Sequence, residues 1–472
     1  MKKIIFLMIV LAGCVPIPKK EQQGRLQTDI SMNQTLAKAF ESQEDFEKGN
    51  WPAEEWWQMF TDQQLNGLIH LALKDNPSLK RAEVQITQAM EEAKRERALL
   101  FPEMDITAQS NWQYLGKNSF YRSLAPSVPA NVNQIDLDLN LTYEFDFWGK
   151  NRALYLSSIG AVYTQKAETA QTKMVLAVAV AKSYFMLQGT LLEIEIYKEL
   201  LKEKISFLRL RRMQKIEGIG DELAILQAET DMLEIHKIIL TLEKDKEIQE
   251  HFLKRAIGES PDFPLEIARN ETLFDKPVEL PENLTLELIA RRPDLMAQVW
   301  RVESAAHEIH AAKTDFYPNI SLTAFAGLES LHFNNLFELN SKMLGLDPVL
   351  RLPIFTAGRI RSNLRAKQAA FEAVVQSYRD LILKAVQDVA DQISIVRSLD
   401  AQSRVEKDEV WTALATFKLN KARYQSGVSD YLDVLNAEGA FLEEKYKQLQ
   451  INYNKLSAIV ELIRALGGGY HE

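Results

Sequence analysis

The strongest constraint in this 472-residue chain is that it carries one architecture twice. Asn76-Pro77-Ser78-Leu79 returns as Arg292-Pro293-Asp294-Leu295, and Phe101-Pro102 as Tyr317-Pro318, both displaced by 216 residues. Further on the displacement is 209. Gly149 and Arg152 then meet Gly358 and Arg361, Gly218 and Asp221 meet Gly427 and Asp430, and Arg255-Ala256-Ile257-Gly258 meets Arg464-Ala465-Leu466-Gly467. A constant register on both sides of one seven-residue deletion marks an internal repeat, so the fold must be built from two copies of one unit.

Proline placement sets the scale of that unit. No Pro lies between Pro129 and Pro261 or after Pro353, which leaves two tracts of more than a hundred residues without the strongest helix breaker. Long helices are expected over 149–217 and 358–426, about 100 Å each at 1.5 Å per residue. In the second, Phe371, Val374, Val375, Tyr378, Leu381, Ile382, Ala385, Val386, Val389, Ile393 and Val396 recur at three and four, an apolar stripe that needs a partner helix. Gly218-Ile219-Gly220 and Gly427-Val428-Ser429 break the two helices, and Asp221, Ser429 or Asp430 can cap the returning ones.

Two segments switch to period two. Over 134–147 every odd position is apolar, from Ile135 to Phe147, and every even one polar, from Gln134 to Asp146. A weaker partner has Met104, Ile106, Ala108, Trp112 and Tyr114 on one parity, and a Gly/Pro/Ser/Asn loop joins the two as a hairpin. A second hairpin is expected over 319–355. Ile320, Leu322, Ala324, Ala326 and Leu328 form its first strand, Phe-rich turns containing Phe333 and Phe337 follow, and a short return strand runs over about 348–354. The alternation alone fits a soluble sheet with one wet face equally well; aromatic strand ends and a polar second face favour an outer-membrane hairpin.

Beyond the first twenty residues there is no run of 18 apolar residues, so a spanning helix is not expected and a closed β-barrel is the remaining route through lipid. Two hairpins supply four strands, whereas small single-chain barrels need about eight. The expectation is therefore a barrel shared among several copies, continued by the long helices as a tube.

At the N-terminus, Lys2 and Lys3 precede a short apolar stretch and Leu11-Ala12-Gly13-Cys14, which contains the chain's one cysteine. This run resembles a bacterial lipoprotein signal. The resemblance implies removal of 1–13, acylation of Cys14 with palmitate-type chains, and outer-membrane sorting because Val15 follows.

Trp56-Trp57-Gln58-Met59-Phe60, Tyr143-Glu144-Phe145-Asp146-Phe147-Trp148-Gly149-Lys150, Arg291-Arg292-Pro293-Asp294, Phe355-Thr356-Ala357-Gly358-Arg359, Arg423-Tyr424-Gln425-Ser426-Gly427 and the Ala465 to Gly469 tail together resemble the TolC-like outer-membrane efflux family, in particular its lipoprotein branch. The resemblance runs from about residue 50 to the end. It implies a mainly α fold with a membrane β-barrel, in which two tandem repeats of helix, β-hairpin, long helix and helix assemble as a homotrimer. The trimer would close a 12-stranded barrel continued by an α-helical periplasmic tunnel. Expected divisions are a signal peptide at 1–13, a lipid-anchored extended segment at 14–60, and a first repeat at 61–258 with hairpin 103–147 and helix pair 149–257. A linker at 259–283 and a second repeat at 284–472, with hairpin 319–355 and helix pair 358–466, complete the chain.

The implied function is the outer-membrane channel of a tripartite efflux system, fed by an inner-membrane pump and a periplasmic adaptor protein. Small molecules such as drugs and toxic compounds would pass through it passively. The implied gate lies at the periplasmic tip, where Gly218, Gly220 and Gly427 make the turns. Tyr424 matches a tyrosine that ties the inner helix pair shut, and Asp433 matches the first of two constricting acids. Asn436 stands where the second acid is usual, and Ser429 where a base is. Asp430 and Asp221 add charge or simply cap helices. The repeat mate of Asp433 is Ala224, so a trimeric ring would hold three acids.

Other functions find little support. A formal charge of −9 and the lack of a basic, aromatic-interleaved stripe argue against nucleic-acid binding. His307-Glu308-Ile309-His310 has the wrong spacing for a metalloprotease and no third ligand, and no nucleophile, base and orienting group assemble, so neither an enzyme, a metal site nor a cofactor is expected. The three glycines 467–469 suggest a flexible tail. A structural or adhesive coiled-coil lipoprotein is the main alternative, but it gives no reason for two amphipathic hairpins at matched repeat positions; a soluble secreted enzyme with a helical body is another.

Overall fold

The computed structural model describes residues 46–270, 278–281, 288 and 290–471. The expected signal segment 1–13, Cys14, most of the segment 14–60 and part of the linker 259–283 lie outside the described residues. In chain order the elements are β1 (Phe46–Gly49), a 3-10 turn (Trp56–Phe60), α1 (Gln63–Asp75), α2 (Pro77–Ala98), β2 (Glu103–Tyr114), α3 (Phe120–Leu124) and β3 (Asn131–Phe145). They continue with α4 (Lys150–Ile216), α5 (Glu222–Ala256), β4 (Val278–Pro281), α6 (Pro293–Thr314), β5 (Asn319–Ser330), β6 (Lys342–Arg351), α7 (Arg359–Gln425) and α8 (Tyr431–Ala465).

The repeat is visible in the element lengths. α2 and α6 have 22 residues each, β2 and β5 12, α4 and α7 67, and α5 and α8 35. In α7 the expected stripe is the buried seam: Phe371, Val375, Tyr378, Ile382, Ala385, Val389, Ile393 and Val396 are buried at steps of three and four. Helix α4 contains no uninterrupted run of 18 apolar residues. An 18-residue window in it is apolar enough, by length and composition, to cross a membrane. That window is 56% buried within the protein, as in a core helix.

The chain divides into two compact units. One comprises Ile86–Thr164 and Gln298–Ser377 and holds a four-stranded antiparallel sheet in the order β2-β3-β5-β6. The return strand β6 differs from the expected 348–354, beginning at Lys342 and ending at Arg351. Gly345 and Pro348 blur its alternation when it is read alone, and Pro348, which cannot donate to a ladder, is accommodated because β6 is an edge strand. The Phe-Asp-Phe-Trp-Gly motif is the junction from sheet to long helix. Asp146 accepts from the amides of Asn151 (3.1 Å) and Arg152 (2.8 Å), capping α4. Trp148 donates to the carbonyl of Pro318 at 2.7 Å and stacks on Tyr317 with ring centroids 4.8 Å apart. Below the junction α4 and α6 pack closely, with Tyr163 stacked on Trp300 and Ser157 hydrogen-bonded to Ser304.

The other unit comprises the described parts of Leu26–Gln85, Gln165–Ala297 and Tyr378–Glu472. β1 and β4 pair in parallel there. The 3-10 turn buries Trp56, Trp57 and Phe60, with Phe60 edge-on to Phe185. Asp62 caps α1 and also accepts from Tyr184 Oη and Asn270 Nδ2, both at 2.7 Å. The duplication extends to single interactions. Asn76 donates to the carbonyl of Ala256 at 2.8 Å, while its repeat mate Arg292 reaches the matching carbonyl of Ala465 at 3.3 Å. Arg292 is buried and is also held by Asp294 at 2.7 Å and Asp388 at 3.5 Å. The glycine tail is not the expected flexible one. Gly467 and Gly469 are buried with φ of +101° and +79°, and a Cβ on either would lie 2.1 Å from the carbonyl oxygen of Arg291 or Ala53. Glycine is there because backbones touch.

Candidate functional site

The candidate residues lie in two places, the sheet and the helix turns. In the sheet, Met104, Ile106 and Ala108 stand opposite Leu141, Leu139 and Leu137. These meet Ala324, Ala326 and Leu328 on β5, and Ala324 and Ala326 meet Leu346 and Leu344 on β6. One parity on every strand is therefore apolar, and the register puts all four on a single face. Ile106 is 73% exposed, Leu344 78% and Leu346 66%. Leaving each in water forfeits about 2 kcal/mol of burial, a cost a whole face does not bear in a water-soluble sheet.

Aromatic residues mark both ends of the sheet. Trp112 and Tyr114 lie at one end, and Phe145, Phe147, Trp148 and Tyr317 at the other. The opposite face carries Glu103, Asp105, Asp136, Asp138, Glu144, Glu329 and Asp347 against one cation, Arg351. Glycines let it pack: the Asp138 side chain lies over Gly327 and the Phe325 ring over Gly345, where a Cβ would clash. The edges β2 and β6 have no partner strand among the described residues.

The turns are built alike. α4 ends in a Schellman motif in which Ile219 N donates to Gln214 O at 2.9 Å and Gly218 N to Lys215 O at 3.0 Å. α7 ends the same way, with Val428 N to Arg423 O and Gly427 N to Tyr424 O, both 2.9 Å. Gly218 and Gly427 take φ of +77° and +71°, the left-handed conformation this motif demands. Gly220 sits where a Cβ would lie 2.9 Å from Lys215 N. Asp221 caps α5 through Ala224 N (2.7 Å) and Asp430 caps α8 through Leu432 N (3.2 Å), so both carboxylates are tied to helix ends.

Asp433 lies in the exposed first turn of α8, where Ser429 Oγ donates to its Oδ2 at 2.9 Å. Tyr424 is 45% exposed, with its ring 5.1 Å from that of Tyr431. The structure thus gathers Tyr424, Gly427, Asp430 and Asp433 at the α7–α8 turn, and Gly218, Gly220 and Asp221 at the α4–α5 turn. The Ser429–Asp433 bond went unread, although its i, i+4 spacing at a helix start is a legible signal. Tyr431 as partner of Tyr424 was also missed.

Comparison with known proteins follows the same geometry. The family profile described as outer membrane efflux protein (OEP) matches residues 68–259 and 284–468. The multidrug resistance outer membrane protein MdtQ of Escherichia coli O157:H7 is 31% identical over 482 aligned positions, covering 98% of this chain and 97% of that protein. MdtP of Escherichia coli K12 is 27% identical across 89% of this chain and 87% of its own. Among solved structures, the outer membrane protein VceC of Vibrio cholerae superposes with a TM-score of 0.78 at 26% identity, over 89% of this chain and 100% of that one. The Campylobacter jejuni CmeC outer membrane channel shares the fold at a TM-score of 0.82 and 22% identity, over 97% of this chain and 95% of its own.

Proposed function

This chain belongs to the outer membrane efflux protein family, and we propose that it works as the passive outer-membrane duct of a tripartite system exporting drugs and other toxic small molecules. The observation that carries the reading is the register of the sheet, which unites four strands into one lipid-compatible face and leaves both edges open. Three copies joined edge to edge make a 12-stranded barrel with its acidic face toward the bore. The long helices extend the bore into the periplasm to meet an adaptor and an inner-membrane pump. Acylation at Cys14 anchors the chain in the outer membrane.

In this scheme the gate is the α7–α8 turn. Three Asp433 carboxylates around a narrow axis favour cations and hinder anions, and the Ser429 hydroxyl holds each side chain in place. Tyr424 packs against Tyr431 beside the turn, and loosening of that helix pair by partners opens the passage. Asp430 and Asp221 add fixed charge while capping their helices, and Gly218, Gly220 and Gly427 set the turns. Nothing in this route calls for a bond to be made or broken, consistent with a channel rather than an enzyme.

Purified protein in planar bilayers tests the reading. Cation-preferring single channels are expected, and Asp433→Ala should raise conductance and weaken inhibition by divalent cations severalfold. Absence of channels would overturn the duct; channels indifferent to Asp433→Ala would overturn the gate alone.

A further inference from the structure

The buried seam of α7 does not stay apolar. After Val396 it continues through Ser403 and Glu406, which are 6% and 8% exposed. Nearby polar groups on α7 are answered from α8: Asp400 is paired with Lys455 and Ser403 with Asn452. Glu406 differs, because its Oε1 is buried without a hydrogen-bond partner. An ionised carboxylate in that position is costly unless something positive reaches it.

What lies around it is more negative charge. Glu409, at i+3 on the same helix face, and Glu444 on α8 each bring a carboxylate oxygen so that all three ligand atoms fall within 4.8 Å of one another. Among the described residues this is the one set of three metal-competent side chains so arranged. Lys447 is the nearby cation, but its Nζ is engaged with both oxygens of Glu444, at 2.9 and 3.0 Å. Burial pushes the Glu406 carboxyl up, and Glu444 and Glu409 push it further while Lys447 opposes them.

We propose that Glu406, Glu409 and Glu444 form a site for a hard divalent cation that clasps α7 to α8. Three carboxylate oxygens with no nitrogen or sulfur donor suit Ca²⁺ or Mg²⁺ rather than softer metals. The exposed side at Glu409 leaves room for water to complete the coordination sphere. A proton shared between Glu406 and Glu444 is the competing way to relieve the repulsion, and it would leave the protein indifferent to Ca²⁺.

The test uses the full-length protein, purified in detergent and freed of metal with EDTA, with Ca²⁺ as probe in equilibrium dialysis at pH 7.5. Wild type should bind one Ca²⁺ per chain more than Glu406→Gln does, with a dissociation constant of about 10⁻⁴ to 10⁻³ M. Excess Mg²⁺ should compete. Lys447→Met removes the competing ammonium and should tighten binding severalfold. Equal Ca²⁺ binding by wild type and Glu406→Gln would overturn the site. Should Glu406→Gln fail to fold, Lys447→Met decides: tighter binding supports the site, and unchanged or weaker binding rejects it.

Discussion

Charged residues in the helical part of the molecule answer burial in contrasting ways. Arg292 is buried but reaches two carboxylates and a carbonyl, and the first repeat fills the same position with the neutral Asn76. Glu203 on α4 has no such provision: its Oε2 is buried without a hydrogen-bond partner, and Lys204 approaches only to 3.7 Å. Burial pushes its pKa from the ordinary 4.5 up to about 7, with Glu438 and Asp231 adding to the shift and Lys204 opposing it. Between those two values the folded protein holds more protons than the unfolded chain, so stability falls as pH rises through the window and levels off above it. The loss is roughly 3 kcal/mol. Thermal unfolding of wild type should therefore show a lower midpoint at pH 8 than at pH 5, and Glu203→Gln should flatten that slope; an unchanged slope would contradict the assignment. Glu203 does not stand out in the sequence, because the groups that repel it, Glu438 and Asp231, sit on other helices, and Glu406 shows only half of its cluster there, since Glu409 is three residues away but Glu444 lies on α8. Arg292 was legible only as part of a motif, whose reason is its reach to α8.

At the scale of elements, what could be read depended on whether a pattern closes within its own segment. From Gln134 to Phe145 β3 alternates without a break, and the stripe of α7 runs through eight buried positions, so each declares its period alone. β6 does not, since Gly345 exists to admit the Phe325 ring of the neighbouring strand and its apolar parity emerges only in register with β5. The glycine tail misled for a similar reason: local composition says flexibility, while the contacts that fix it come from Arg291 and Ala53. The sheet yields a two-sided prediction. Leu139→Arg, on the apolar face at mid-strand, should cost about 2–4 kcal/mol in lipid and reduce the heat-modifiable, membrane-inserted fraction. Asn140→Arg, one residue along on the polar face, should insert normally and shift ion preference toward anions. Equal loss of insertion in both variants, followed by gel mobility and membrane fractionation, would mean the faces are wrongly assigned.

For the whole molecule, the proposed duct needs more than one chain, because a four-stranded sheet whose edge strands β2 and β6 have no partner strand among the described residues would leave backbone groups unpaired in lipid at several kcal/mol each. In the proposed trimer the repeat accounts for how few strands suffice: each half of the chain supplies one hairpin, and the other copies would supply the rest. Family membership was legible in the sequence because its motifs mark junctions and turns, where backbone geometry permits few residues. Native mass spectrometry of protein released gently from the outer membrane examines the assembly directly. One species with the mass of three chains is expected, dissociating to single chains only on heating in detergent. A stable monomer that conducts ions by itself would contradict it.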